Sequence, residues 1–138
     1  MKMKKILVLL SIMIIALTAC APRGATSIVG EWGLVSYGDP ANPTPAAPDV
    51  ETSIIFGEDG QVNGTAGCNG FGGDYKVNGD TIQFDSLFMT EMACIGPADQ
   101  QERVLFSVFV GTASIALDGD TLTITSADGS AVVVLEKK

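Results

Sequence analysis

The chain of 138 residues contains no histidine. That absence removes the commonest general base and the commonest zinc ligand together, and it excludes Ser-His-Asp and Cys-His nucleophilic chemistry. Basic residues are scarce, with eight Lys and Arg against sixteen Asp and Glu. Three of the eight, Lys2, Lys4 and Lys5, lie at the extreme N-terminus; without that end, five basic residues face sixteen acidic ones, a formal net charge of −11. Such a surface repels nucleic-acid phosphates and is not drawn to anionic lipid. Any membrane attachment must therefore come from apolar groups or covalent lipid. No Gly-Lys-Ser/Thr loop, Cys-x-x-Cys pair or solenoid repeat is present. The length allows one domain, and a hydrophobic content of 46% is enough for a packed core.

One long apolar run stands out. Ile6 to Leu17 is apolar apart from Ser11, follows the three lysines, and leads into Thr18-Ala19-Cys20. This is the charged, apolar and small-residue order of a secretory signal, and it is shorter than the roughly 18 apolar residues of a spanning helix. Leu17-Thr18-Ala19-Cys20 resembles a bacterial lipobox. The resemblance implies cleavage before Cys20 and lipidation of that cysteine; the alternative is an uncleaved anchor in which Cys20 is a small apolar residue. The expected organisation is a signal peptide over 1–19, a lipidated cysteine and tether over 20–27, and a domain over 28–138. Two or more acyl chains anchor stably, each buried methylene contributing about 0.8 kcal/mol. Ala21 replaces the usual Asp retention residue. The expected location is therefore the outer membrane facing the periplasm in a two-membrane host, and otherwise the outer face of the cell membrane.

Beyond the tether, short β patterns alternate with turn signals. Glu31 to Tyr37 alternates, with Trp32, Leu34 and Ser36 on one face. Gly38 to Asp49 holds four prolines and reads as an extended loop. Asp-Gly and Asn-Gly tips separate Ser53–Phe56 from Gln61–Thr65, Asp74–Val77 from Thr81–Phe84, and Ser114–Leu117 from Thr121–Thr125; Ala131–Leu135 is the last strand. Pro97 to Val110 is predicted as a helix, with Pro97 in the first turn, Asp99 and Glu102 near its positive end, and Gly111 at C′. Leu105, Val108 and Phe109 form its apolar stripe, with Val104 beside it. The fold class is α+β, mainly antiparallel β: a compact barrel-like meander of about seven to eight strands with one amphipathic helix packed on it.

The densest pattern is Gly64 to Tyr75, with five glycines in ten residues, followed by Thr90-Glu91-Met92-Ala93-Cys94. The glycines imply a turn and a strand edge whose backbone passes close to another element, since no helix follows to make them a phosphate cradle. Cys68 and Cys94 most simply form a disulfide in an oxidising compartment, the alternatives being a buried reduced pair or a redox-active or metal-binding pair. The aspartates Asp59, Asp80, Asp118, Asp120 and Asp128 sit at hairpin tips and lack the spacing of a calcium loop. Asn63-Gly64-Thr65 is a glycosylation sequon without meaning in a bacterial lipoprotein. Glu102 reads as a first-turn helix acid rather than a general acid or base. Trp32, Phe56, Phe71, Tyr75, Phe84, Phe106 and Phe109 read as a filled core rather than the lining of an apolar cavity.

These residues together are similar to the META domain, or HslJ-like, family. The resemblance rests on Gly67, Cys68, Asn69 and Phe71, then Gly73 and Tyr75, then Thr90, Met92, Ala93 and Cys94, and finally Glu102 and Phe106, in order over residues 28–135. It implies a nearly barrel-like antiparallel domain with one helix, and envelope proteins or lipoproteins linked to heat-shock or drug-tolerance phenotypes. It supplies no catalytic residues to carry over. Gly70 departs from the pattern, which often has a larger, basic residue there; a partner that reads that position would be met differently here. The expected function is a non-enzymatic envelope lipoprotein with a protein-interaction or stress-tolerance role, needing no cofactor, no metal and no nucleic acid. Its partners would be the membrane, through lipid on Cys20, and another envelope protein. The alternative is a carrier or sensor of a small apolar ligand held between helix and sheet.

Overall fold

A computed structural model describes residues 27–138. Cys20 and the signal segment lie outside the described residues. Nine strands and one helix follow in order: β1 (Gly30–Gly38), β2 (Thr44–Pro45), β3 (Ser53–Phe56), β4 (Gln61–Thr65), β5 (Gly70–Asn78), β6 (Thr81–Met89), α1 (Pro97–Val108), β7 (Gly111–Asp118), β8 (Thr121–Thr125) and β9 (Val132–Lys137). Every pairing is antiparallel, and β1 pairs with both β3 and β9. The sheet therefore closes into an eight-stranded up-and-down barrel, with the two-residue β2 paired to Ser36 and Tyr37 at the far end of β1 from β3. Closure removes the two sheet edges that an open meander would expose.

The three turn signals sit where their glycines are needed, at the hairpins after β3, β5 and β7. All three hairpins, and the entry of the chain at Ile28, share one end of the barrel. The other four connections (39–52, 66–69, 90–110 and 126–131) share the opposite end, which is the helix end. In the last of these connections, hydrogen bonds from Ser126 and Ser130 hold the Asp128 carboxyl down at about 2. Asp59 likewise serves its own turn, accepting the Gln61 N–H at 3.0 Å.

The interior is filled by alternate residues of the strands, including Trp32, Ile54, Phe56, Val62, Ile82, Leu122, Ile124 and Leu135. α1 lies across the helix end and buries Leu105 and Val108, while Phe109, which caps it, enters the core. The Phe109 ring stacks on Phe84 with centroids 4.4 Å apart and meets Phe71 and Phe56 at 6.1 and 6.4 Å.

Three sequence expectations need correction. Ser36 does not continue the inward face of β1, because a register shift against β9 between Leu34 and Ser36 makes Val35 an extra residue. The bulge turns Tyr37 inward instead, to 3% exposure. The helix stops at Val108 with Phe109 as its cap, so Gly111 is not C′ but opens β7 with φ +58°. Burying Phe109 among the core rings ends the helix early. Finally, β5 and β6 each extend well past the predicted segments at the helix end. Glycine allows this: a β-carbon at Gly73 would come within 2.9 Å of the Leu87 Cα and 3.1 Å of the Asp85 carbonyl oxygen, so the bulged β6 could not pack so closely on a residue with a side chain there.

Candidate functional site

Most of the residues that carry the family resemblance converge at the helix end. The turn 66–69 leaves β4 and enters β5, the segment 90–96 leaves β6, and α1 lies over both. Asn69 is 5% exposed and Glu102 6%. The Asn69 backbone N–H donates to Glu102 Oε2 at 2.6 Å, and Asn69 Nδ2 donates to Glu102 Oε1 at 2.7 Å. The amide's other capacity goes to the neighbouring segment: Nδ2 also donates to the Met92 carbonyl at 3.3 Å. Asn69 Oδ1 in turn accepts from the Met92 N–H at 2.7 Å and from Thr90 Oγ1 at 2.9 Å. Thr90 Oγ1 itself accepts the Gly70 N–H at 3.2 Å. Asn69 thus uses all four side-chain hydrogen-bonding positions, and both oxygens of Glu102 are engaged. Among the described residues, no buried side-chain nitrogen or oxygen lacks a partner.

Two further ties hold the same node. Cys68 and Cys94 are joined by a disulfide, with Cα atoms 6.3 Å apart. Gln101, fully buried, donates to the Ala66 carbonyl at 2.6 Å and accepts the Ala47 N–H at 3.1 Å. Gly67, at φ +124°, leaves room for this: a β-carbon there would collide with Val50 and lie 3.1 Å from Gln101 Nε2. Glu102 is therefore not the first-turn acid expected from the sequence, a place held by Asp99, which pairs with Arg103. It stands on the second turn and faces inward.

Of the other residues in the pattern, Phe71 is buried with its ring edge-on to Phe106 at 5.3 Å. Ala93 is exposed, and the Met92 side chain is exposed although its backbone is pinned. Tyr75 is not part of the node. It sits toward the hairpin end, where its hydroxyl donates to the Gly57 carbonyl at 2.7 Å. Burial, followed by the Asp59 charge, pushes its phenol above the usual range. Sequence reasoning missed Gln101 and also Thr52, whose hydroxyl accepts the Leu34 N–H at 2.9 Å. Gln101 did carry a signal: it is four residues before Leu105 and seven before Val108, on the apolar stripe.

The node is a set of internal hydrogen bonds closed by one disulfide. It fixes the segment 90–96, whose Met92 and Ile95 side chains stand in solvent, as do Phe88, Met89 and Val110. Breaking the covalent tie with Cys68→Ser and Cys94→Ser should cost roughly 3 to 4 kcal/mol by the loop-closure entropy of the bridged segment. Thermal unfolding of the double variant should then come roughly 10–20 °C below that of the oxidised protein. An unchanged midpoint in the absence of reductant would show that the bridge contributes nothing.

Among the described residues, no group of three or more His, Cys, Asp or Glu is placed to hold a metal ion. No helix among them is long and apolar enough to cross a membrane.

No curated protein matches the chain. Among solved structures, the fold is similar to an NMR structure of a protein from Burkholderia xenovorans at 16% identity, with a TM-score of 0.64 over 79% of this chain and 81% of that one. It is also similar to a crystal structure of a DUF4847 family protein from Bacteroides vulgatus at 14% identity, with a TM-score of 0.56 over 79% of this chain and 92% of that one. Identities this low speak for the fold alone. The family model of the META domain matches residues 26–138, which covers the barrel, the helix and the Asn69–Glu102 node, and the chain belongs to the META domain family.

Proposed function

We propose that this chain is a lipid-anchored protein of the bacterial cell envelope that works by binding another envelope protein, without chemistry of its own, and supports the envelope under stress. One observation carries the interaction role: the polar groups of the family pattern are all satisfied internally, while large apolar side chains beside them stand in solvent. Phe88 is 70% exposed and Val110 66%, and with Met89 they line one recess; Ile95 is 92% exposed. Clustered exposed apolar residues mark interaction surfaces more often than isolated ones do. The anchoring role is supported by the lysines, the apolar run and Cys20 at its end. The carrier reading is not retained. Trp32, Phe56 and Phe109 are each 1% exposed or less in the barrel interior, and the recesses beside Ile28 and Tyr75 and beside Phe88 and Phe106 both open at the surface.

Cys20→Ser should move the protein from the membrane to the soluble fraction, and intact mass of the native protein should show acyl chains on residue 20. Continued sedimentation of the Cys20→Ser protein with membranes would sink the anchoring role. A deletion strain should be more sensitive to heat, detergent or antibiotic, with complementation by the native chain and weaker complementation by the Cys20→Ser form.

A further inference from the structure

The barrel is closed along only part of β6. Its Thr81–Phe84 half pairs with β7 from Ser114 to Gly111, and there β7 ends. From Asp85 to Met89, β6 still pairs with β5 on one side. On the other side no strand among the described residues pairs with it, because the chain turns into α1 instead. Beside this free edge runs a recess of about 220 Å³ lined by Leu87, Phe88, Met89, Phe106, Phe109 and Val110. A bulge that contains Ser86, a non-glycine residue at φ +54°, precedes the last residues of β6 along this edge. Unpaired strand groups next to an open apolar groove are the two elements of recognition by strand addition: backbone hydrogen bonds supply affinity, and alternate side chains fill the groove.

We propose that the Asp85–Met89 edge of β6 and the groove between it and the end of α1 receive an extended apolar peptide segment with basic flanks, belonging to another protein. The identity of this partner as an envelope protein rests on the function proposed above. Charge selects the flanks. Asp85 and Glu91 bracket the edge, Arg103 on the helix is taken by Asp99, and the described chain carries few cations. The same acidity opposes a second copy of this chain, which would bring like charges together. Position opposes the bilayer as occupant. The chain enters the barrel at the hairpin end, where Ser27, Ile28 and Val29 lie against Glu58, Gly60 and Tyr75. The groove is at the helix end, a strand length of roughly 30 Å away.

The test uses the full chain in phosphatidylcholine nanodiscs. The probe is a ten-residue peptide alternating valine and threonine between paired lysines, N-methylated at alternate amides so that only one edge can pair, and carrying a photo-crosslinker. It should bind with a Kd on the order of 10–100 µM and crosslink within 85–89 or 106–110. Phe88→Lys and Val110→Lys, both at exposed positions, should each weaken binding by about tenfold, as should glutamate flanks on the peptide. The proposal is overturned if the peptide does not bind or if its crosslinks map elsewhere. It is equally overturned if a peptide methylated at every amide binds as well, which would make the surface apolar but not an edge. Labelling of 88–95 by a diazirine lipid would assign the groove to the membrane, and a dimer that the peptide does not dissociate would assign it to a second copy. Because binding is measured wherever the anchor lies, failure here leaves the Cys20 fractionation result standing, and the reverse also holds.

Discussion

Phe109→Ala is expected to lower the unfolding free energy by roughly 3–5 kcal/mol, measured by urea denaturation. A domain of this size has a total of about 5–15 kcal/mol, so the variant should be marginal. The reason is geometric. Phe109 follows the last turn of α1 and is 1% exposed, stacked on Phe84 and in contact with the rings of Phe71 and Phe56. It ties the helix to β3, β5 and β6 at once. Truncation leaves a cavity surrounded by strands that are locked in a closed barrel and cannot collapse inward. Phe106→Ala, at a half-buried position against Phe71 alone, should cost clearly less. If the two variants lose the same stability, Phe109 is not the joint between helix and barrel.

Glu102→Ala should cost a comparable amount by a different mechanism. It orphans two buried donors, the Asn69 N–H and Nδ2, at about 1–3 kcal/mol each. Glu102→Gln keeps the volume and one acceptor but sets an amide NH₂ against one of those donors, so it should lie between wild type and Glu102→Ala. The Asn69→Ala, Glu102→Ala double-mutant cycle should show a coupling of roughly 1.5–3 kcal/mol, because the residues share two hydrogen bonds. Additive losses would mean that the pair is not an energetic unit. A second readout separates the node from general destabilisation: the amides of Asn69 and Met92 should lose hydrogen-exchange protection in Glu102→Gln before those of β8 and β9 do. Loss of order in 90–96 should also scatter Met92 and Ile95, and with them the surface that the node holds out.

Local chemistry made several elements legible. Asp-Gly and Asn-Gly tips between alternating segments placed β3, β4 and β8 to the residue, since turn type and side-chain period are both short-range properties. Pro97 likewise marked the start of α1. Errors came where a distant neighbour decides the outcome. The bulge in β1 exists because β9 closes on it, so Tyr37 rather than Ser36 turns inward. The upper half of β6 lies on Gly72 and Gly73, and nothing in residues 85–89 taken alone predicts a strand there. Glu102 obeyed the rule for acids near a helix start, yet a partner 33 residues away drew it inside.

The linear chain by itself determined the material of this protein: a lysine-led apolar run before Cys20, an acidic domain without histidine, strands cut by turns, and one amphipathic helix. Each of these follows from side-chain chemistry acting over a few residues. Only the tertiary structure decided that β1 meets β9, that Asn69 and Glu102 complete one another, and that β6 outruns β7 and leaves an edge beside an apolar groove. Those outcomes depend on which segments closure of the barrel brings side by side, and hydrophobic periodicity carries no information about distant partners.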